Sequence, residues 1–220
     1  MIGCERCPEL RAYCGRVALE KKRAYRDEEY WGKPVPAFGD TAARVLLVGL
    51  APGAHGSNRT GRMFTGDASG VWLYRALHRA GFANQPEQRD RHDGLVLRDA
   101  LITAALRCAP PGNKPEPEQL RRCFPYLVSE IGLLEDLKVV VGLGAIGTRA
   151  ARDAMQAAGY AFAARSPFAH GAESVATHPS RPRAVLLASY HPSRQNTNTG
   201  VLTEPMLDQI FTRARVLARS

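Results

Sequence analysis

Three short stretches of the chain carry apolar residues almost without interruption between turn-forming residues: RVLLVGL (44–50), KVVVGLG (138–144) and AVLLASYHP (184–192). A strand with one wet face alternates apolar and polar positions. A run without that alternation predicts a strand covered on both faces, as in a parallel sheet. ALITAAL (100–106) is a fourth, weaker candidate, because its composition suits a helix as well. Between the runs the apolar spacing is that of helices. SGVWLYRALHRAG (69–81) predicts a helix entered at a Ser cap and left at Gly81. PEQLRRCFPYLVSEIGLLEDL (117–137) predicts a helix around Pro125, and AIGTRAARDAMQAAG (145–159) one that follows its strand directly. TEPMLDQIFTRARVLARS (203–220) predicts a last helix with basic final turns. Residues 9–31 read as a basic amphipathic helix, broken by the two prolines and the glycine of KPVPAFGD (33–40).

Strands alternating with helices imply an α/β fold, a central parallel sheet with helices on both faces, formed as one domain over residues 1–220. Ligands in such folds bind beyond the carboxyl ends of the strands. Three polar stretches fall at those ends: GLAPGAHGSN, CAPPGNKP and YHPSRQNTNTG.

With 220 residues the chain can fill one sizeable core. No apolar run approaches the roughly 20 residues of a membrane span, so no membrane partner is expected. MIGCERCPEL has no apolar h-region, so the expected compartment is the cytoplasm, where thiols stay reduced. The net charge of +9 and the pI near 9.7 favour a polyanionic partner, nucleic acid first. A codon bias toward arginine explains 25 Arg against 5 Lys, but not the net charge.

Five cysteines in a reducing compartment suggest a metal site or catalysis before disulfides. Cys4 and Cys7 form a C-x2-C pair, whereas 14 residues separate Cys108 from Cys123, too many for a zinc knuckle. A [4Fe–4S] cluster accepts one close pair and two separated ligands, because each cysteine binds its own iron. Spacing leaves zinc and unrelated core cysteines as alternatives. Cys14 reads as a buried or free thiol.

GLGAIG (142–147) matches the dinucleotide fingerprint G-x-G-x-x-G on paper. The acidic residue expected about 20 positions later is missing from AGYAFAARSPF. The expected role is therefore a tight strand-to-helix turn that needs small residues.

GLAPGAHGSNRTGRMFTGDASG (49–70) is the most informative stretch. Gly49, Gly53 and Gly56 let backbone approach a ligand closely, and Phe64 sits where an aromatic ring is presented as a platform or buried in the core. This stretch, the cysteines Cys4, Cys7, Cys108 and Cys123, and HPSRQNTNTG (191–200) resemble the uracil-DNA glycosylase superfamily. They look most like its family 5, the bacterial and archaeal type with an iron–sulfur cluster. The resemblance covers nearly the whole chain. It implies a three-layer αβα sandwich around a four-stranded parallel sheet. It implies hydrolytic removal of uracil, and of other deaminated bases such as hypoxanthine, from DNA, leaving an abasic site. It also implies that Cys4, Cys7, Cys108 and Cys123 hold [4Fe–4S]. The expected partner is DNA containing such bases, met by a monomer that associates with the nucleoid.

Two positions depart from the related family 4 pattern. GLAPGAHG has no Glu after its GxAPG, and Ala104 stands where that family has an Asn. A pocket without that amide should discriminate less sharply, and Asn113 is a candidate substitute.

The expected roles follow from the chemistry. Gly49, Ala51, Gly53 and Ala54 line the base pocket, and Phe64 stacks on an extruded base. His191, at a strand end, hydrogen-bonds the leaving oxygen. Asp67 orients the attacking water or supports positive charge on the sugar, unless it is only a turn or helix cap. Asn113 holds that water or reads the base. Asn58, Arg59, Arg62 and Arg194 meet the DNA, and the loop Ser193–Arg194–Gln195–Asn196 enters the gap left by the base. Two rival readings are a non-catalytic nucleic-acid-binding protein and a redox enzyme using a cluster and a dinucleotide.

Overall fold

A computed structural model describes residues 1–164 and 167–220; Arg165 and Ser166, inside the AGYAFAARSPF stretch, lie outside the described residues. Four strands form the centre: β2 (Val45–Gly49), β3 (Ala100–Ala104), β4 (Val139–Leu143) and β7 (Ala184–Ser189), parallel and in the order β3-β2-β4-β7. Every residue of the four is buried, as unbroken apolar runs require. Two antiparallel flanks widen the sheet to seven strands: β1 (Phe38–Gly39) beside β3, then β6 (Glu173–Thr177) and β5 (Ala161–Phe162) beyond β7.

The pleat sorts side chains into two cores. Val45, Leu47, Ile102, Val139 and Val141 pack against α3 (Ala68–Arg79) and α7 (Glu204–Arg219). Leu46, Val48, Leu101, Val140 and Leu186 pack against α4 (Pro117–Leu133) and α5 (Gly144–Ala157). Burying one such side chain fully contributes about 1.5–3 kcal/mol, so a single polar substitution on a central strand removes a large part of a domain's net stability. A smaller third core under α1 (Pro8–Glu20) contains Leu10, Cys14 and Leu106 with the cysteines Cys7, Cys108 and Cys123. Among the described residues no helix is long and apolar enough to cross a membrane.

Helix boundaries correct the sequence reading in three places, one of them the end of α4 at Leu133 rather than 137. The helix expected over 9–31 ends at Glu20, because Lys21 takes a left-handed φ of 53° and the chain then packs against α2 (Ser57–Thr60). Trp31 N–H donates to the Arg59 carbonyl (2.8 Å) and Gly32 N–H to that of Asn58 (3.0 Å). Backbone groups held by those bonds cannot also serve a helix. The N-cap of α3 is Asp67, not Ser69.

The site follows from the connections. The chain leaves β2 toward α3 on one face and leaves the neighbouring β4 toward α5 on the other. Diverging connections open a crevice beyond the carboxyl ends of β2 and β4, where α/β sheets bind ligands.

Candidate active site

The turn after β2 builds one wall of the crevice. A Cβ on Gly49 would lie 2.8 Å from Cζ of Phe64, so the missing side chain is what admits the ring. Phe64 itself has φ 52°, a costly conformation for an aromatic residue and one that clusters at functional sites. Its ring is mostly buried and reaches His191, with centroids 5.7 Å apart and planes tilted by 31°.

Asp67 divides its carboxylate between two tasks. Oδ1 accepts from Gly70 N–H (3.1 Å) and caps α3. Oδ2 lies over the backbone at Gly53 and Gly56, where a Cβ on Gly56 would collide with it. Burial raises the Asp67 carboxyl above its ordinary pKa, opposed by the Gly70 and Ser69 amides and by the charges of Arg59 and Arg194. The cap expected as the alternative role is therefore real, and it leaves the second oxygen toward the glycine loop.

His191 follows β7 and is half-buried. Burial pushes its imidazole down to about 4, so the ring is neutral near pH 7 and carries one N–H to donate. A Cβ on Gly144 would lie 3.1 Å from Cβ of His191, so the turn after β4 touches the site here. The Asn196 side-chain amide donates to the His191 carbonyl (2.9 Å), and the Ser193 hydroxyl accepts from Asn196 N–H (3.3 Å). The loop expected at 193–196 is a short helix, α6 (Arg194–Asn198), capped by Ser193. Arg194 and Gln195 are exposed on it.

Three residues expected at the DNA are braces instead. Arg59 is 7% exposed; it pairs with Glu28, donates to the carbonyls of His55 (2.8 Å) and Gly66 (3.0 Å), and stacks 3.9 Å over Tyr25. Arg62 is 3% exposed and makes a bidentate pair with Asp93 at 2.7 and 2.6 Å. Burial would raise the Asp93 carboxyl, but Arg62 and the Arg89 and Leu95 amides together outweigh it and hold the carboxyl well below its usual range. Asn58 is fully buried, donating to the carbonyls of Ala54 (3.3 Å) and Cys14 (3.5 Å). None of the three presents its side chain to a phosphate. Asn113 is exposed on the Pro111–Asn113 turn, and its backbone bond to Pro110 does not tie it to Asp67, Phe64 or His191.

His55 is a neighbour that the sequence reading passed over. Its Nδ1 lies 3.0 Å from the Tyr30 hydroxyl, which also accepts from Lys22 N–H (3.3 Å). A lone histidine within a glycine loop is the only signal the sequence carries for it.

Ala51 and Ala54 pack against the cysteine core, so the crevice loop rests on that lobe. Cys4, Cys7, Cys108 and Cys123 line one small pocket there with Arg6, Arg11, Arg107 and Arg122. Burial pushes the Cys123 thiol up to about 11 and raises Cys7 as well. Arg107 is almost fully buried; one of its nitrogens pairs with Glu130, while among the described residues its Nε and Nη1 make no hydrogen bond, nor does Nε of Arg11, which lies 3.8 Å from Glu5. Buried donors left open are rare and call for an occupant. Among the described residues no three Cys, His, Asp or Glu side chains converge as a single ion requires. Cys14 is buried, its thiol 3.6 Å from the Ala109 carbonyl.

The GLGAIG turn is a packing device. A Cβ on Gly142 would strike Thr148, and one on Gly147 would lie 2.6 Å from the Val48 carbonyl. Its glycines seat α5 on the sheet.

Comparison with known proteins agrees with this geometry. The profile of the uracil DNA glycosylase superfamily matches residues 36–215. The chain is 50% identical over 218 residues to a type-5 uracil-DNA glycosylase of Thermus thermophilus, spanning 99% of this chain and 95% of that protein. It is 46% identical over 216 residues to one of Mycobacterium tuberculosis (98% and 78%) and 44% over 214 to one of Pyrobaculum aerophilum (97% and 88%). Phe64 against His191 and Asp67 over Gly53 and Gly56, at the carboxyl ends of the central strands and beside a four-cysteine lobe, thus accompany near-full-length similarity: the chain belongs to the uracil-DNA glycosylase superfamily, within its type-5 group.

Proposed function

We propose that the protein is a DNA-repair glycosylase that removes uracil from DNA by hydrolysing the N-glycosidic bond and leaves an abasic site. The observation that carries this is a half-buried, desolvated carboxylate and a neutral imidazole at one strand-end site, in a chain of this family. A target base inside a duplex must first be extruded, at a cost of a few kcal/mol. Phe64 stacks on the extruded base, worth about 1–3 kcal/mol, and His191 is within reach of the same ligand. Gly49, Ala51, Gly53 and Ala54 supply the small-residue wall.

In the reaction the C1′–N bond breaks and its electron pair leaves with the base. A water oxygen bonds to C1′, and Asp67 orients that water and accepts its proton. The His191 N–H stabilises the leaving oxygen, and one such donor is worth about 2.7–4 kcal/mol. Asn113 joins only if its exposed turn folds over bound DNA, where it would read the base or hold the water. Arg194 and Gln195 enter the gap in the helix, with Ser193 and Asn196 holding α6 in place.

Cys4, Cys7, Cys108 and Cys123 would hold a [4Fe–4S] cluster. Four thiols around one pocket suit a cluster, in which each cysteine meets a different iron. The open N–H groups of Arg11 and Arg107 suit its sulfur atoms. When bound it would supply a cross-link between the N-terminal arm and the 108–123 segment, and no step of the reaction runs through it.

Hypoxanthine is a second substrate on this reading. Ala104 pairs in register with Gly49 at the mouth of the crevice, so a methyl group stands there instead of a uracil-selective amide. The enzyme acts as a cytoplasmic monomer.

The test is a duplex carrying one uracil, or one hypoxanthine, treated with the protein and then with alkali. A break at the lesion only after alkali supports a monofunctional glycosylase. No break with uracil, from protein that binds the duplex, removes the enzymatic reading in favour of a binding protein.

A further inference from the structure

With Arg59 and Arg62 buried, Arg194 is the predicted DNA-facing arginine still exposed beside the crevice. The segment after α1 supplies further cations. Beyond Lys21 the chain makes a short 3-10 turn at Arg23–Tyr25, and Lys22, Arg23 and Arg26 are all exposed on it. Among the described residues none of the three forms a salt bridge. The acidic residues that follow form no ion pair with them: Glu28 pairs with Arg59, and among the described residues neither Asp27 nor Glu29 makes a salt bridge.

This turn is fastened to the crevice loop. The Lys22 amide donates to the Tyr30 hydroxyl, which contacts Nδ1 of His55. The Tyr25 ring lies under the Arg59 guanidinium, and Trp31 and Gly32 bond to the backbone of α2. His55 adjoins Gly56, whose backbone meets the Asp67 carboxylate. The backbone that carries these cations is tied to the pocket wall before any ligand arrives, which limits the backbone entropy lost on binding.

We propose that Lys22, Arg23 and Arg26 form a clasp for the sugar-phosphate backbone beside the extruded nucleotide. The inference rests on the reading that DNA enters over the Asp67 crevice. The clasp contributes affinity and register, not chemistry.

The test compares two triple variants of the intact protein on a duplex bearing a tetrahydrofuran abasic-site analogue. One is Lys22→Gln/Arg23→Gln/Arg26→Gln. The other, Arg98→Gln/Arg183→Gln/Arg219→Gln, removes the same charge from the opposite end of the molecule. Arg98 and Arg183 just precede β3 and β7, and Arg219 ends α7; all three are exposed. Each lost phosphate contact reduces the slope of log K against log salt by about 0.9. The clasp variant should therefore lose roughly two to three units of slope while the control keeps its slope. Both should retain the parent's melting temperature and its single-turnover base release at saturating enzyme. Equal slopes in clasp variant and parent, or equal losses in the two variants, overturn the proposal. An intact protein that releases no base yet shows the slope difference keeps the clasp and removes only the enzymatic reading.

Discussion

Two glycine-rich turns leave adjacent parallel strands at the same end of the sheet, GLAPGAHG after β2 and GLGAIG after β4. They differ in what fills the space of their missing side chains. After β2 it is filled by functional groups from elsewhere, the Phe64 ring at Gly49 and the Asp67 carboxylate at Gly56. After β4 it is filled by the fold's own scaffold, Thr148 at Gly142 and the Val48 carbonyl at Gly147. Only Gly144 meets the site, through the Cβ of His191. A glycine pattern thus reports close approach, and the approaching group decides whether the approach is chemistry or packing.

The largest effect is expected from Asp67→Asn, which separates the two jobs of that side chain. Asn caps a helix as well as Asp does, so α3 keeps its start. The buried charge disappears, so the melting temperature should hold or rise. Single-turnover base release should fall by about 10²–10⁴-fold, the usual worth of a positioned acid or base. An unchanged rate would leave Asp67 with the cap alone. Gly56→Ala comes next. The new methyl occupies the space of the carboxylate and must displace it, which should cost about 10²-fold in base release. Gly147→Ala is its mirror: an overpacked helix–sheet contact should lower stability by about 1–3 kcal/mol in urea unfolding, with base release per folded molecule unchanged. Equal activity losses in the two glycine variants would erase the distinction between the turns.

What the sequence could show follows the same division. Three of the four central strands were legible because burial on both faces leaves unbroken apolar runs. ALITAAL joins them only because β2 and β1 pair with it, a long-range fact. The antiparallel flank stayed hidden: β5 has two residues, and in β6 only Ala176 is buried, so neither carries a usable pattern. The 21–31 segment reads as helix by composition, but its bonds to α2 override that preference. Arg59 and Arg62 look like surface cations until their partners are known. Glu28 and Asp93 lie 31 positions away on either side, beyond any local pattern. Asp67 was legible both as a cap and as the carboxylate nearest the crevice, because each oxygen meets a different neighbour.

The smallest effect is in the pH profile, and it tells the two crevice groups apart. In the proposed mechanism Asp67 must be ionised to take a proton from water, and its carboxyl lies above the ordinary 3.8. His191 is neutral until the pH falls to about 4, against an ordinary 6.5. Between pH 8 and 5 the imidazole therefore does not change charge in the folded protein. Single-turnover base release should fall on the acid side as Asp67 protonates, with a midpoint above that of an exposed aspartate. Substituting His191 with Gln should lower the rate throughout and leave that midpoint where it is. Stability carries opposite signs for the two groups. The unfolded chain binds the histidine proton first, so stability is lost as pH falls from 6.5 toward 4. The folded chain holds the Asp67 proton longer, so ionising that carboxyl costs stability as pH rises through its raised pKa. An acid limb near 6.5 that disappears in the His191 variant would mean the imidazole is charged in the working enzyme. The wall contributed by the β4 turn and β7 would then be an electrostatic device, and the contrast between the two turns would narrow.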